Sequence, residues 1–103
     1  MLTVITTTKL RGGAEDDWDA AIGERFGSAQ GRKGWVSGQL LNPEDASDVR
    51  VIVGTWESKA DWEAWHHDPA FLEQRDRLEA LAAEPSSVVW YSVVADARLG
   101  PTG

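Results

Sequence analysis

The sequence predicts an α+β domain of the ferredoxin-like class: a four-stranded antiparallel sheet in the order strand, helix, strand, strand, helix, helix, strand. Three observations lead there. Four segments of strand length are rich in β-branched residues, the stretches between them carry apolar residues at helical spacing, and turn formers stand at the junctions. That order is the split β-α-β arrangement, which places the helices on one face of the sheet.

The first strand is "LTVITTTKL", residues 2–10, broken by "RGG". "AEDDWDAAIGERFGSAQ" follows as a helix, with Trp18, Ala21, Ile22, Arg25 and Phe26 at helical spacing. Glu15, Asp16 and Asp17 stand in its first turn, where carboxylates oppose the positive helix end. "GRKG" ends it, and "WVSGQLL" forms a second strand that turns through "NPEDASD" into a third, "VRVIVGTWE" at 49–57. Ser58 and Asp61 have the spacing of a capping box and open the second helix. Asp68 and Pro69 read as N-cap and first position of a third helix through "AFLEQRDRLEALAA". "VVWYSVVA", residues 88–95, is the last strand. Residues 1–97 thus make one domain, and 98–103 a frayed tail.

Alternation along the strands puts Val49, Val51 and Val53 on one face and Ile52 and Trp56 on the other, while Val89, Tyr91 and Val93 oppose Val88, Trp90 and Val94. Both faces are apolar. Helices cover only one of them, so the sequence predicts a homodimer with sheet packed against sheet.

Composition narrows the partners. A formal net charge of −7, from 17 acidic and 10 basic residues, repels phosphate backbones and anionic headgroups, so neither nucleic acid nor a membrane surface is expected to bind. There is no cysteine, which removes disulfides, thiolate nucleophiles and thiolate metal sites. The N-terminal segment alternates and has no basic region followed by a long apolar run, so it reads as a strand and not a signal peptide. A soluble, cytoplasmic protein is the expectation. The six tryptophans are the oddity, because indoles supply buried area and also walls for flat aromatic ligands.

Two of them lie in "DWEAWHHDP", residues 61–69, with the chain's only two histidines. Trp62, Trp65 and His66 stand at i, i+3 and i+4 and so share a helix face. Phe71, Gln74, Arg75 and Leu78 share one on the next helix by the same spacing. His66 and His67 diverge by about 100°, and no H-x-x-x-H or H-E-x-x-H spacing occurs, so no metal site is expected. Core packing is the competing role for each indole, Trp18 and Trp56 above all, and solvent at a helix end is the competing place for each histidine, His67 above all.

With its element order and "TWESKADWEAWHHDPAFLEQRDRLEAL", the chain resembles the antibiotic biosynthesis monooxygenase family of dimeric α/β barrels. The resembling features are a strand ending in "W-E-S", an aromatic helix with "A-W", and "P-x-F" opening the next helix. The resemblance implies a dimeric α/β barrel and a choice among quinone-forming monooxygenases without a cofactor, haem-degrading monooxygenases, and small proteins acting on quinols or signal molecules. The haem branch pairs the tryptophan matching Trp65 with a first-strand asparagine and an iron-ligating helical histidine. Those two positions fall here at or next to Thr6 and Gln74, which disfavours haem.

Cofactor-free oxygenation of an anthrone or quinol requires a base near neutral pKa, a dry apolar cage and a donor for the enolate or peroxide. His66 is the expected base, Trp65 the wall and indole donor, and Gln74 or Arg75 the oxyanion partner. Thr6, Trp35, Trp62, Phe71 and Trp90 are expected to enclose an aromatic substrate beside molecular oxygen, with no cofactor. The alternatives are a non-catalytic domain holding a small hydrophobic ligand and, further off, a haem-degrading enzyme.

Overall fold

The computed structural model describes residues 1–98. Its elements are β1 (Leu2–Lys9), α1 (Glu15–Ala29), β2 (Trp35–Leu41), β3 (Val49–Trp56), α2 (Lys59–His66), α3 (Pro69–Leu81) and β4 (Ser87–Ser92). The sheet is antiparallel in the order β2-β3-β1-β4. This is the ferredoxin-like arrangement that the residue pattern predicts. The ends differ by one to three residues: α3 stops at Leu81 because Ala82 is already extended and bridges to Leu10, and β4 stops at Ser92, where its pairing with Leu2 ends. Of the expected frayed tail only Arg98 is described, and residues 99–103 lie outside the described residues. Among the described residues no helix is long and apolar enough to cross a membrane.

The helix starts follow local chemistry. Ser58 accepts a hydrogen bond from the Asp61 amide at 3.1 Å and donates to the Asp61 carboxylate at 2.9 Å, so α2 begins with a reciprocal cap. Asp68 accepts from the Ala70 amide at 2.9 Å, ahead of Pro69 in the first turn of α3. Two short helices therefore meet at a corner instead of running on as one. Helix α1 carries no side-chain cap; its acidic first turn faces the positive helix end.

Strand register sorts the side chains. Thr6 pairs with Ile52 on one side and Val88 on the other, and Val4 pairs with Gly54 and Trp90. These positions, together with Trp56 and Thr8, face the helices. The opposite face presents Ile5, Val51, Val53, Val89, Tyr91 and Leu41, of which the last three are 42, 50 and 44 % exposed. One buried cluster joins Leu10, Ala14, Trp18, Ala21, Ile22 and Leu78; a second joins Ala29, Trp56, Trp65 and Phe71. Trp18 anchors α1 in the first cluster. Arg50 ties α1 to β3, with Nε and Nη2 on the two Asp19 carboxylate oxygens at 2.8 and 3.2 Å, and Nη1 on the Ser47 and Val49 carbonyls at 3.0 Å each.

Gly38 is fixed by a close approach: a Cβ there would lie 2.5 Å from the Trp35 indole and 2.9 Å from the Phe26 ring. Its absence lets Trp35 lie across β2, edge-on to Trp56 at 5.4 Å and tilted on Phe26 at 6.0 Å.

Candidate active site

Between the inner face of the sheet and the three helices lies a cavity of about 900 Å³. That is at the upper end of the range for small-molecule sites. Gly54 lies in its floor, and the nearest atom to a Cβ there would be the Trp56 indole nitrogen at 4.0 Å, so this stretch of β3 is left open.

Helix α2 supplies the most distinctive corner. Trp65 is buried, 5.7 Å from Phe71 in an edge-to-face contact, with the Arg32 guanidinium 4.9 Å over its ring. Arg32 is held there by an ion pair to Asp68 at 2.6 Å. The Ala70 amide, and then Arg32, keep the Asp68 carboxyl below the usual carboxylate range.

His66 lies between two rings, 3.9 Å from Trp62 and 4.2 Å from Phe71. Its Nδ1 is 2.8 Å from the Trp62 carbonyl oxygen, four residues back. A carbonyl can only accept, so Nδ1 carries the proton and Nε2 keeps its lone pair. Burial pushes the imidazole down to about 4; the bond to Trp62 opposes this, and the charges of Arg25 and His67 add to it. At neutral pH His66 is an uncharged ring with one free acceptor. His67, one residue on, caps α2 and is exposed.

Thr6, Trp35, Trp62, Trp65, His66, Phe71, Arg75 and Trp90 all line the cavity. Trp62 and Trp90 meet edge-on at 5.6 Å, so α2 closes against β4 on that side, and Trp90 remains half exposed. Arg75 lies at the rim with its side chain 49 % exposed, near Asp76 and Glu79 at 3.6 and 3.8 Å.

Gln74 is the exception. It lines a separate shallow groove with Glu24, Ala70, Glu73 and Arg77, and its Oε1 is buried without a partner. The reason is helical phase: at ~100° per residue, Gln74 and Arg75 fall on opposite flanks of Phe71, and only the Arg75 flank meets the cavity. Gln74 therefore stands outside this space, away from the oxyanion or axial-ligand position expected of it.

Arg25 lines the cavity without having been expected there. It stands seven positions after Trp18 and four before Ala29, in the middle of the buried stripe of α1. Its guanidinium carbon is 4.4 Å from the Phe71 ring centroid. A cation on the apolar stripe of a helix was the signal that could have marked it. Among the described residues no group of three or more histidine, cysteine, aspartate or glutamate side chains is placed to hold a metal ion.

The four-stranded ferredoxin-like sheet thus carries an indole-walled cavity under α2 and α3. The family model for antibiotic biosynthesis monooxygenases matches residues 1–84, and the chain belongs to that family. Among solved structures, Rv0793 from Mycobacterium tuberculosis is 18 % identical with a TM-score of 0.85, covering 94 % of this chain and 98 % of that one. SnoaB, described as a cofactor-independent oxygenase from Streptomyces nogalater, is 18 % identical with a TM-score of 0.83, covering 92 % and 94 %. At such identity the likeness is one of fold. No curated protein matches the chain significantly.

Proposed function

We propose that this protein is a cofactor-independent monooxygenase that oxidises a flat, electron-rich polyketide-like phenol, an anthrone or quinol, to a quinone with molecular oxygen. The observation that carries the reading is His66: an uncharged imidazole with its tautomer set by the Trp62 carbonyl and its Nε2 free, beside a large cavity walled by indoles. Family membership and the fold shared with a described cofactor-independent oxygenase support it.

In this reading the substrate lies flat among Trp35, Trp62, Trp65, Phe71 and Trp90, with Thr6 as a polar contact from the sheet. His66 accepts a proton, leaving an electron-rich anion. The anion gives one electron to oxygen, the radical pair recombines to a peroxide, and loss of water leaves the new carbonyl. One oxygen atom ends in the quinone and the other in water, and the substrate supplies all the electrons. Trp65 is the buried wall against which the ring is oriented.

The outward sheet face, with Leu41, Val89 and Tyr91 exposed beside Ile5, Val51 and Val53, suits a second copy packed sheet to sheet. A homodimer is the assembly we propose.

The test is oxygen uptake by the purified, metal-free protein with a simple anthrone and a dihydroxynaphthalene, with haem titrated into the same preparation. Quinone formation that scales with protein and falls in His66→Ala and Trp65→Phe supports the reading. A tight Soret shift without uptake would replace it with haem chemistry, and inactivity in both assays would leave a ligand-binding domain.

A further inference from the structure

Among the described residues Arg25 is the one half-buried cavity-lining cation whose surroundings do not explain it; Arg11 also lines the cavity without an ion pair, but it is exposed to solvent. Its Nε is buried with no hydrogen-bond partner, and among the described residues the guanidinium forms no ion pair. Other arginines are accounted for: Arg32 is paired with Asp68, Arg50 with Asp19, Arg77 with Glu24, and Arg75 lies near Asp76 and Glu79. A half-buried guanidinium against an aromatic ring, with an unmet donor, is costly in the free protein and is suited to an anion that arrives with the ligand.

Its position says which anion. Arg25 and His66 both lie against the Phe71 ring, at 4.4 and 4.2 Å. A proton acceptor and an unpaired cation thus both contact the Phe71 ring on the wall of one cavity, near enough for the charge of Arg25 to be felt at His66. Resting on the oxygenase reading, we infer that Arg25 is the oxyanion partner of His66, and that the ligand is an acidic aromatic hydroxyl which is ionised on binding. The O–H bond breaks, its proton passes to Nε2 of His66, and the electron pair stays on the oxygen, whose charge meets the guanidinium. Nothing is oxidised in this step. It also eases a difficulty in the base. An imidazole pushed down to about 4 is too weak to deprotonate an ordinary phenol alone. The imidazolium–phenolate pair that forms beside Arg25 is stabilised as a triad of alternating charges. Burial likewise pushes Arg25 down to about 10, so it remains a cation at neutral pH.

The probe is 4-nitrophenol, whose anion absorbs in the visible and whose neutral form does not. Binding to the wild type is expected to lower the phenol's apparent pKa by at least one unit; Arg25→Gln should abolish the shift and Arg25→Lys should keep part of it, with folding checked by circular dichroism. Binding of the neutral phenol with no shift overturns the inference and leaves the oxygenase reading standing. Equal shifts in wild type and Arg25→Gln also overturn it. A second probe, 2-naphthoate, is ionised throughout: Arg25-dependent binding of naphthoate, with the phenol bound neutral, would make Arg25 a carboxylate subsite instead and likewise overturn the inference. Failure of both probes to bind, together with no oxygen uptake on anthrone, would remove the oxygenase reading and the inference with it.

Discussion

The Nδ1–H of His66 donates to the carbonyl oxygen of Trp62 at 2.8 Å, and the same helical turn lays the two rings 3.9 Å apart. One bond thus sets the tautomer, the ring orientation and the direction of the free Nε2. It also joins wall and base into one unit, so a change at either should be felt at the other.

The pH dependence of turnover follows. Because burial holds free His66 at about 4, kcat/KM on a phenol that ionises well above neutrality should rise with pH, reach its plateau by about pH 5.5, and show no inflection near 6.5. His66→Ala should lower kcat by about 10²–10⁴-fold. A midpoint between pH 6 and 7 would mean the imidazole is solvated.

Stability should respond to the same group. The folded imidazole titrates at about 4 and the unfolded one at 6.5, so between those values the unfolded chain binds more protons and stability increases with pH. The contribution is complete above 6.5 and is lost as pH falls toward 4. Discounted for partial exposure, it is on the order of 1–2 kcal/mol. Urea midpoints at pH 7 and pH 4.5 should differ less in His66→Phe than in the wild type, since the phenyl ring has no proton to gain.

Gly54 separates cavity from core. A Cβ there meets nothing closer than 4.0 Å, so Gly54→Val should fold with a Tm within a few degrees of the wild type. Its methyl groups would occupy the floor of the cavity. Affinity for flat aromatics should fall about tenfold or more, as read by quenching of tryptophan fluorescence on titration.

The sheet face is tested by charge. Tyr91, half exposed on the outward face of β4, pairs across Thr3 on β1. Tyr91→Lys should convert a dimer to a monomer at micromolar concentration by light scattering, with the far-ultraviolet spectrum unchanged. A wild type that is itself monomeric would contradict the proposed assembly.

Most of the fold was legible in the sequence because its signals are local. Ser58 with Asp61, and Asp68 with Pro69, state where helices begin, and the β-branched runs state where strands lie. The candidate site was legible where one helix carries it: Trp62, Trp65 and His66 share a face by spacing alone and line one cavity. Thr6 and Trp90 reached the cavity because strand parity held through the register of β1 with β3 and β4, whereas Trp35 faces inward opposite Trp56 because the register of β2 shifts between Trp35 and Ser37. Gln74 lies away from the cavity because i+3 and i+4 partners of Phe71 fall on opposite flanks, and only the tertiary packing of α3 on α1 determines which flank is inward. Arg25 went without a role because its meaning lies in what it lacks, a carboxylate partner, and absence of a partner is a property of the assembled fold.

The most direct measurement of the central claim is the fate of isotopically heavy dioxygen during anthrone oxidation by metal-free protein, followed by mass spectrometry of the quinone. The reaction proposed here places one heavy atom in each quinone molecule, with incorporation slowed in His66→Ala and insensitive to chelators. A quinone carrying no heavy oxygen, or label that appears only after metal or haem is added, would contradict it.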